Sequence, residues 1–134
     1  MIAERYQLGE KLSDHRGVST HRGVDPVEGR EVVVKTIPAH AVHAGSLMRL
    51  EYEATHLQRL RSPWLAPLLV VHREEDTLYL VSELVPGDTL KARLEFRRLS
   101  VSETLAVARA AFSALRDLHL HGLLHRGVRP TNIV

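Results

Sequence analysis

The stretch His125-Arg126-Gly127-Val128-Arg129-Pro130-Thr131-Asn132-Ile133-Val134 ends the sequence and decides how the residues before it are interpreted. It follows a long helical pattern that Gly122 closes, so we expect a loop here rather than a further turn of helix. Gly127 lies near the centre of this loop. Because glycine has no side chain, it can neither accept a proton nor orient a hydroxyl group.

Composition excludes several classes of protein. With 134 residues, 44% of them hydrophobic, the chain is expected to form at most one ordinary domain with a buried core. Its 18 Lys and Arg nearly balance 16 Asp and Glu, which argues against a nucleic-acid partner, and the absence of cysteine excludes disulfides and thiolate zinc sites. The start of the chain is charged, unlike a signal peptide, and the longest apolar run, residues 64–71, is too short to span a membrane. We therefore expect a cytoplasmic protein without a membrane partner.

Nine histidines raise the hypothesis of a metal site. His40 lies close to His43, and three more lie close together at positions 119, 121 and 125. No carboxylate completes a ligand set at helical spacing, which favours exposed polar side chains instead.

Alternating and β-branched residues predict five strands in the first part of the chain. The predicted strands are 6–12, 19–25, 31–37, 68–72 and 77–84. Polar turns are expected at 13–18 and 73–76. Pro26 and Gly29 predict a tight turn between the second and third strands, because proline presets its φ and glycine adopts a positive one.

Apolar residues spaced three and four apart predict helices. The first helix, 46–61, ends at Ser62-Pro63, because a proline disfavours helical geometry in the residue before it. A short helix is expected at 89–97. Ser100 and Glu103 form a capping box that opens a long helix reaching about residue 121. Its expected apolar face consists of Leu105, Ala108, Phe112, Leu115 and either Leu118 or His119.

The final loop resembles the catalytic loop of the protein kinase family, which reads His-Arg-Asp, an apolar residue, Lys-Pro-x-Asn and further apolar residues. Arg129 stands at the Lys position and keeps the charge, and the pattern is closer to the Ser/Thr branch than to the Tyr branch. The resemblance implies an α+β fold, with a five-stranded antiparallel sheet and one packed helix followed by the first helices of the large lobe. Residues 1–85 would be the small lobe and hinge, and 86–134 the start of the helical lobe.

The resemblance also implies roles for residues of the first lobe. Lys35 corresponds to the lysine that holds the α- and β-phosphates of ATP, and Glu53 is its expected partner on the next helix, with Glu51 as the alternative. Glu83 and Val85 would offer backbone groups to the adenine, with Ser82 as the gatekeeper. A plain surface lysine, a solvated glutamate and a buried strand are the structural alternatives.

The phosphate-covering turn departs from the family pattern. Three glycines are expected there, whereas Ser13, His15 and Val18 occupy their places, and Gly17 fits only if the loop shifts by one residue. Bulky residues keep such a turn from closing over a triphosphate. ATP and magnesium binding is therefore expected to be weak or absent.

The last loop departs at its most important position. Gly127 replaces the Asp that accepts the substrate hydroxyl proton, while His125, Arg126 and Arg129 surround it. Asn132 corresponds to a magnesium ligand of the family, and its Asp-Phe-Gly companion would lie beyond Val134. The sequence is thus expected to be a truncated, degenerate kinase domain.

Three hypotheses follow. The first is a non-catalytic, pseudokinase-like module that acts in signalling and binds another protein or a second copy of itself through an exposed helical face. The second is the front part of a Ser/Thr protein kinase that phosphorylates proteins once a further segment completes it. The third is part of a small-molecule phosphotransferase with a kinase-like fold.

Overall fold

A computed structural model describes residues 2–134. The strands are β1 (Gln7–His15), β2 (Val18–Asp25), β3 (Arg30–Pro38), β4 (Leu68–Glu74) and β5 (Thr77–Glu83). The helices are α1 (Ile2–Arg5), α2 (Ser46–Arg59), α3 (Leu90–Phe96) and α4 (Val101–Leu120), with short 3-10 turns at Ala39–Ala41 and Pro130–Asn132. The predicted α+β architecture of a five-stranded antiparallel sheet and helices is confirmed.

The chain forms two compact units. The sheet unit consists of the residues up to Arg59 together with Ala66–Leu84, and the helical unit consists of Leu60–Leu65 with Val85–Val134. No helix of the described residues is long and apolar enough to cross a membrane.

Strands in the sheet unit follow the order β1-β2-β3-β5-β4, and every neighbouring pair is antiparallel. Alternation along β3 divides its side chains between two faces. Val32 and Val34 are fully buried with Ile2 and Tyr6 in one apolar cluster. Ile37 packs with Leu47 and Leu78 in a second buried cluster, which brings α2 against the sheet.

The turn between β2 and β3 forms as expected. Gly29 has a φ of 64° and its N–H donates to the Asp25 carbonyl oxygen at 2.8 Å. The buried Asp25 carboxylate adds three contacts, accepting from the N–H of Val27 at 3.1 Å, the N–H of Glu28 at 3.3 Å and the Arg5 guanidinium at 3.1 Å. This carboxylate therefore fixes the turn and ties α1 to the sheet.

The polar turn expected at 13–18 is wrong in its extent. β1 continues to His15, which pairs with Val18, so that only Arg16 and Gly17 turn the chain. Their φ values of 51° and 86° describe a two-residue turn of the kind that matches the twist of paired strands. The same correction applies to the turn expected at 73–76, which contains only Glu75 and Asp76. Polar residues suggested loops in both places, but backbone pairing extended the strands.

In the helical unit, α3 and α4 each begin directly after a residue whose side chain caps the helix. The Thr89 side chain accepts from the N–H of Ala92 and that of Ser100 accepts from the N–H of Glu103, each at 3.1 Å. Gly122, with a φ of 72°, ends α4 as expected.

The expected apolar face of α4 is partly wrong. Leu118 is buried, but Leu105 and Phe112 are 65% and 71% exposed. They lie seven residues apart and so share one side of the helix, whereas the better buried side follows Ala111, Leu115 and Leu118. Spacing alone did not identify which of two apolar sides is covered.

Candidate functional site

Lys35 lies on β3, opposite Thr20 of β2 and Leu80 of β5. It has the same parity as Ile37 and therefore projects from the sheet face that α2 covers. Its side chain is exposed and makes no hydrogen bond or ion pair with the rest of residues 2–134. The strand thus presents a free ammonium group, which corresponds to the structural alternative of a plain surface lysine.

The expected ion pair between Lys35 and Glu53 is not formed in this structure. Glu53 accepts a hydrogen bond from Arg49 at 3.1 Å instead, and Glu51 lies 3.5 Å from Arg73. Arg49 precedes Glu53 by four residues on α2, which makes the two neighbours on the helix surface. Such exposed pairs contribute only about 0.3–0.5 kcal/mol to stability. Breaking the contact with Arg49 would therefore cost Glu53 little if it were to pair with another residue.

The residues at the expected glycine places belong to the hairpin of β1 and β2, whose pairing shifts register twice between Leu8 and Ser13. Ser13 pairs with Thr20 and His15 with Val18, so their backbones are engaged in the sheet. A Cβ at Gly17 would lie 3.2 Å from the Ala41 Cβ, which shows that the tip lies against the 3-10 turn after β3. The turn of this hairpin is short and lies close to Ala41, and it contains one glycine. It therefore differs from an open, glycine-rich loop.

Backbone groups near the end of β5 are partly used within the sheet unit. Ser82 pairs with Val33 and Leu68, and the Glu83 N–H donates to the Pro67 carbonyl oxygen at 3.0 Å. Val85 is 40% exposed and belongs to the helical unit. The expected adenine contacts at Glu83 and Val85 remain a prediction.

In the helical unit, the loop after α4 is held by two hydrogen bonds at Gly127. Its N–H donates to His125 Nδ1 at 3.1 Å, and its carbonyl oxygen accepts from Asn132 Nδ2 at 2.7 Å. A 3-10 turn at Pro130–Asn132 brings Asn132 back to this position. The next residue, Ile133, accepts a backbone bond of 2.7 Å from Leu90.

Gly127 itself is not required by the backbone. Its φ lies outside the left-handed region, and an added Cβ would meet only ordinary contacts, 3.6 Å from Asn132 Nδ2 and 3.8 Å from the His125 ring. A larger residue could therefore occupy this position without strain. What glycine changes is chemical, because it leaves position 127 without a carboxylate.

These residues do not fit a magnesium ion as they stand. Magnesium in phosphoryl-transfer sites is bound through one or two carboxylates together with substrate phosphates. Asn132 supplies one amide oxygen, and residues 118–134 contain no Asp or Glu. Across residues 2–134 no group of three or more His, Asp or Glu side chains could hold a metal ion.

The structure adds one feature that sequence reasoning missed. His119 of α4 lines a cavity together with the loop residues His125, Arg126, Gly127 and Arg129. The sequence does indicate a basic surface here, because no acidic residue follows Asp117, whereas Arg126 and Arg129 do.

Comparisons with known proteins agree with this architecture. The family model described as protein kinase domain matches residues 6–134. The chain is 29% identical over 96% of its length to hormonally up-regulated neu tumor-associated kinase homolog A from Xenopus laevis. It is 26% identical over 99% of its length to a probable myosin light chain kinase from Dictyostelium discoideum, and 28% identical over 99% to calcium-dependent protein kinase 9 from Oryza sativa subsp. japonica.

The chain spans 19%, 34% and 24% of the lengths of these three relatives. The match to the family model nevertheless covers nearly all of the chain, from the residue before β1 to the end of the final loop. The chain therefore belongs to the protein kinase family.

Proposed function

We propose that this kinase-family chain does not transfer phosphoryl groups and acts by binding. The observation that supports this most directly is Gly127 at the place of the general base. In an active kinase an Asp there accepts the substrate hydroxyl proton. Loss of a general base typically lowers the rate about 10²–10⁴-fold. The loop keeps its hydrogen-bonded shape around Gly127, so the proposal concerns chemistry and not folding.

We propose in addition that ATP binds weakly or not at all. The hairpin of β1 and β2 places Ser13 and His15 in paired strand positions and leaves a two-residue turn, Arg16 and Gly17, with a single glycine. Its backbone N–H groups are therefore poorly suited to wrap phosphates, which a glycine-rich loop does. Lys35 remains the one family residue of the sheet unit that could still attract a phosphate.

The binding partner that we propose is another protein or a second copy of the chain. It would contact an apolar face of α4, which we define as Val101, Leu105, Phe112 and Leu120, with exposures of 78%, 65%, 71% and 75%. Large exposed apolar patches on proteins mark interaction sites or aggregation liabilities. Because the four side chains project from one helix, a single partner surface can cover them.

A second candidate function is Ser/Thr phosphoryl transfer by a domain of which these residues are the front part. Two observations favour it: Lys35 has no side-chain partner within residues 2–134, and Asn132 lies in the loop at the place of the family's magnesium ligand. This candidate requires that some other group replaces the missing carboxylate at position 127.

Incubation with radiolabelled ATP, magnesium and general protein substrates separates the two candidates. The non-catalytic proposal expects the same label incorporation with the chain and with its Lys35→Ala variant. Incorporation that depends on Lys35 would favour the second candidate.

A further inference from the structure

The apolar face of α4 has a regular geometry. Val101, Leu105 and Phe112 follow one another at intervals of four and seven residues, which places them in a narrow stripe along one side of the helix. Their exposures are 78%, 65% and 71%. An apolar stripe with this spacing is the surface that one helix presents to another in coiled coils and in helix-in-groove complexes.

Two arginines form a border along this stripe. Arg109 follows Leu105 by four residues and Arg116 follows Phe112 by four, so each arginine is the neighbour of an apolar side chain on the helix surface. Arg109 is exposed and makes no side-chain hydrogen bond or ion pair in the part of the chain that the structure describes. The Arg116 side chain remains 64% exposed although it contacts Asp117. The border of the stripe is therefore positively charged.

The acidic residues of α4 do not balance this arginine border. Glu103 lies two residues after the start of the stripe, and therefore on another side of the helix, where it binds Arg93 and Arg97. The side chain of Asp117 is only 17% exposed, and it accepts a hydrogen bond from the Ser62 hydroxyl at 2.6 Å. Both carboxylates are thus engaged within the helical unit.

The helical unit as a whole is basic. It contains nine Lys and Arg against four Asp and Glu, a net charge of +5, whereas the complete chain carries +2. Two copies that met through the apolar face of α4 would bring two positive units together, and neither would supply a carboxylate to the arginine border. A second copy can therefore bury the apolar side chains but cannot complement the charge beside them.

We propose that the apolar face of α4 binds an amphipathic helix of another protein, with Asp or Glu along the flanks of its apolar side. The stripe would bury the apolar side of that helix, and Arg109 and Arg116 would pair with its carboxylates. Charges beside an apolar seam select partners in this way in coiled coils. The inference rests on the proposed function, since it assigns a partner class to the surface proposed there.

Two labelled model peptides test the charge preference. Both are amphipathic helices of about 20 residues, because shorter helices are marginal in water, and both carry the same leucine stripe. They differ only in having Glu or Lys at the flanking positions. We expect the Glu peptide to bind the chain at least about tenfold more tightly in fluorescence anisotropy at low ionic strength, with a smaller difference in high salt. Equal affinities at low ionic strength, or no binding of the Glu peptide, would overturn the proposal.

Charge reversal locates the preference. Arg109→Glu combined with Arg116→Glu should make the Lys peptide the tighter ligand. Arg61→Glu combined with Arg98→Glu is the matched control, because it changes the charge of the same unit equally at two exposed positions outside α4. This control should still prefer the Glu peptide. An equal change in both double variants would mean that general attraction to a basic unit holds the peptide, and the proposal would fail.

A single variant remains informative if the double variant of α4 fails to fold. Arg109→Glu breaks no side-chain hydrogen bond or ion pair of the described chain, so we expect it to keep the fold and to weaken binding of the Glu peptide. Unchanged affinity would contradict the role of the arginine border.

Vesicles that contain phosphatidylserine compare the helical partner with an anionic membrane surface. We expect the chain to bind the Glu peptide more tightly than these vesicles, and the reverse order would overturn the proposal. Equal binding of both peptides would end this inference but leave the apolar face of α4 as an interaction surface. Phosphoryl transfer is measured separately, so its absence or presence does not depend on these results.

Discussion

The side-chain amide of Asn132 donates a hydrogen bond of 2.7 Å to the backbone carbonyl oxygen of Gly127. This bond connects two parts of the final loop. Its acceptor is a backbone oxygen, so the bond does not depend on a side chain at position 127. His125 completes the arrangement by accepting from the N–H of the same residue at 3.1 Å. The hydrogen bonds that shape this loop therefore use backbone groups of residue 127 and need no side chain there.

Acid should reveal the role of Asp25 in the sheet unit. Burial alone would raise the pKa of this carboxyl group, but the N–H of Glu28, the Arg5 guanidinium and the N–H of Val27 outweigh it and hold the pKa below its ordinary value. A depressed folded-state pKa stabilises the fold above the unfolded value of about 3.9, and the contribution is lost as the pH falls through the folded value.

We therefore expect Asp25→Asn to lower the melting temperature at pH 7, with a smaller difference from the unmodified chain as the pH falls below about 4. Melting curves followed by circular dichroism between pH 3 and pH 7 measure this. Asp14→Asn is the control for an exposed ion pair: Lys11 lowers the pKa of Asp14 in the same direction, but both side chains are half exposed, so the change in melting temperature should be smaller. A difference that stays constant over this range would mean that the charge of Asp25 contributes nothing.

ATP should stabilise the chain little. A ligand present at a hundredfold excess over its Kd stabilises the folded state by about 2.7 kcal/mol. We expect millimolar ATP with magnesium to leave the melting temperature unchanged, because the turn at Arg16 and Gly17 offers no glycine-rich cradle. A clear rise that disappears in Lys35→Ala would show that the nucleotide binds without that cradle.

The apolar face of α4 should cause association. We expect micromolar protein to elute as more than a monomer in size exclusion with light scattering, and to bind an apolar dye. Leu105→Ser combined with Phe112→Ser should reduce both effects, because the two side chains are 65% and 71% exposed on one side of the helix.

Val27→Ser is the control for this experiment. Val27 is 77% exposed in the sheet unit, where it lies in the turn after β2 and outside the apolar face of α4. Its substitution should change neither elution nor dye binding. A stable monomer of the unmodified chain that binds no dye would contradict the proposed interaction surface.

Much of the fold could be predicted from sequence because its signals are local. β3 is rich in β-branched residues, which favour strands, and the Ser100 cap fixes the start of α4. Strand ends were less predictable: β1 continues through Asp14 and His15, since pairing with β2 satisfies their backbone groups regardless of their polarity.

The candidate site was predictable only in part. Gly127 and Asn132 follow from motif spacing, and the structure adds that they are hydrogen-bonded to each other. The motif predicted Lys35 as the partner of Glu53. In the structure Arg49, one helical turn away on the same helix surface, pairs with Glu53 instead. His119 and Arg129 line the same cavity because the chain folds back after α4. No local sequence pattern predicts the path of this loop.

Phosphoryl transfer is the most direct test of the central claim, that Gly127 leaves this loop without a general base. The measurement compares label transferred from radiolabelled ATP to protein by the unmodified chain, by Lys35→Ala and by a preparation without the chain, under identical magnesium concentrations. Active protein kinases turn over at roughly 1–100 per second. We expect all three samples to give the same background. Transfer above that background by the unmodified chain, abolished in Lys35→Ala, would contradict it.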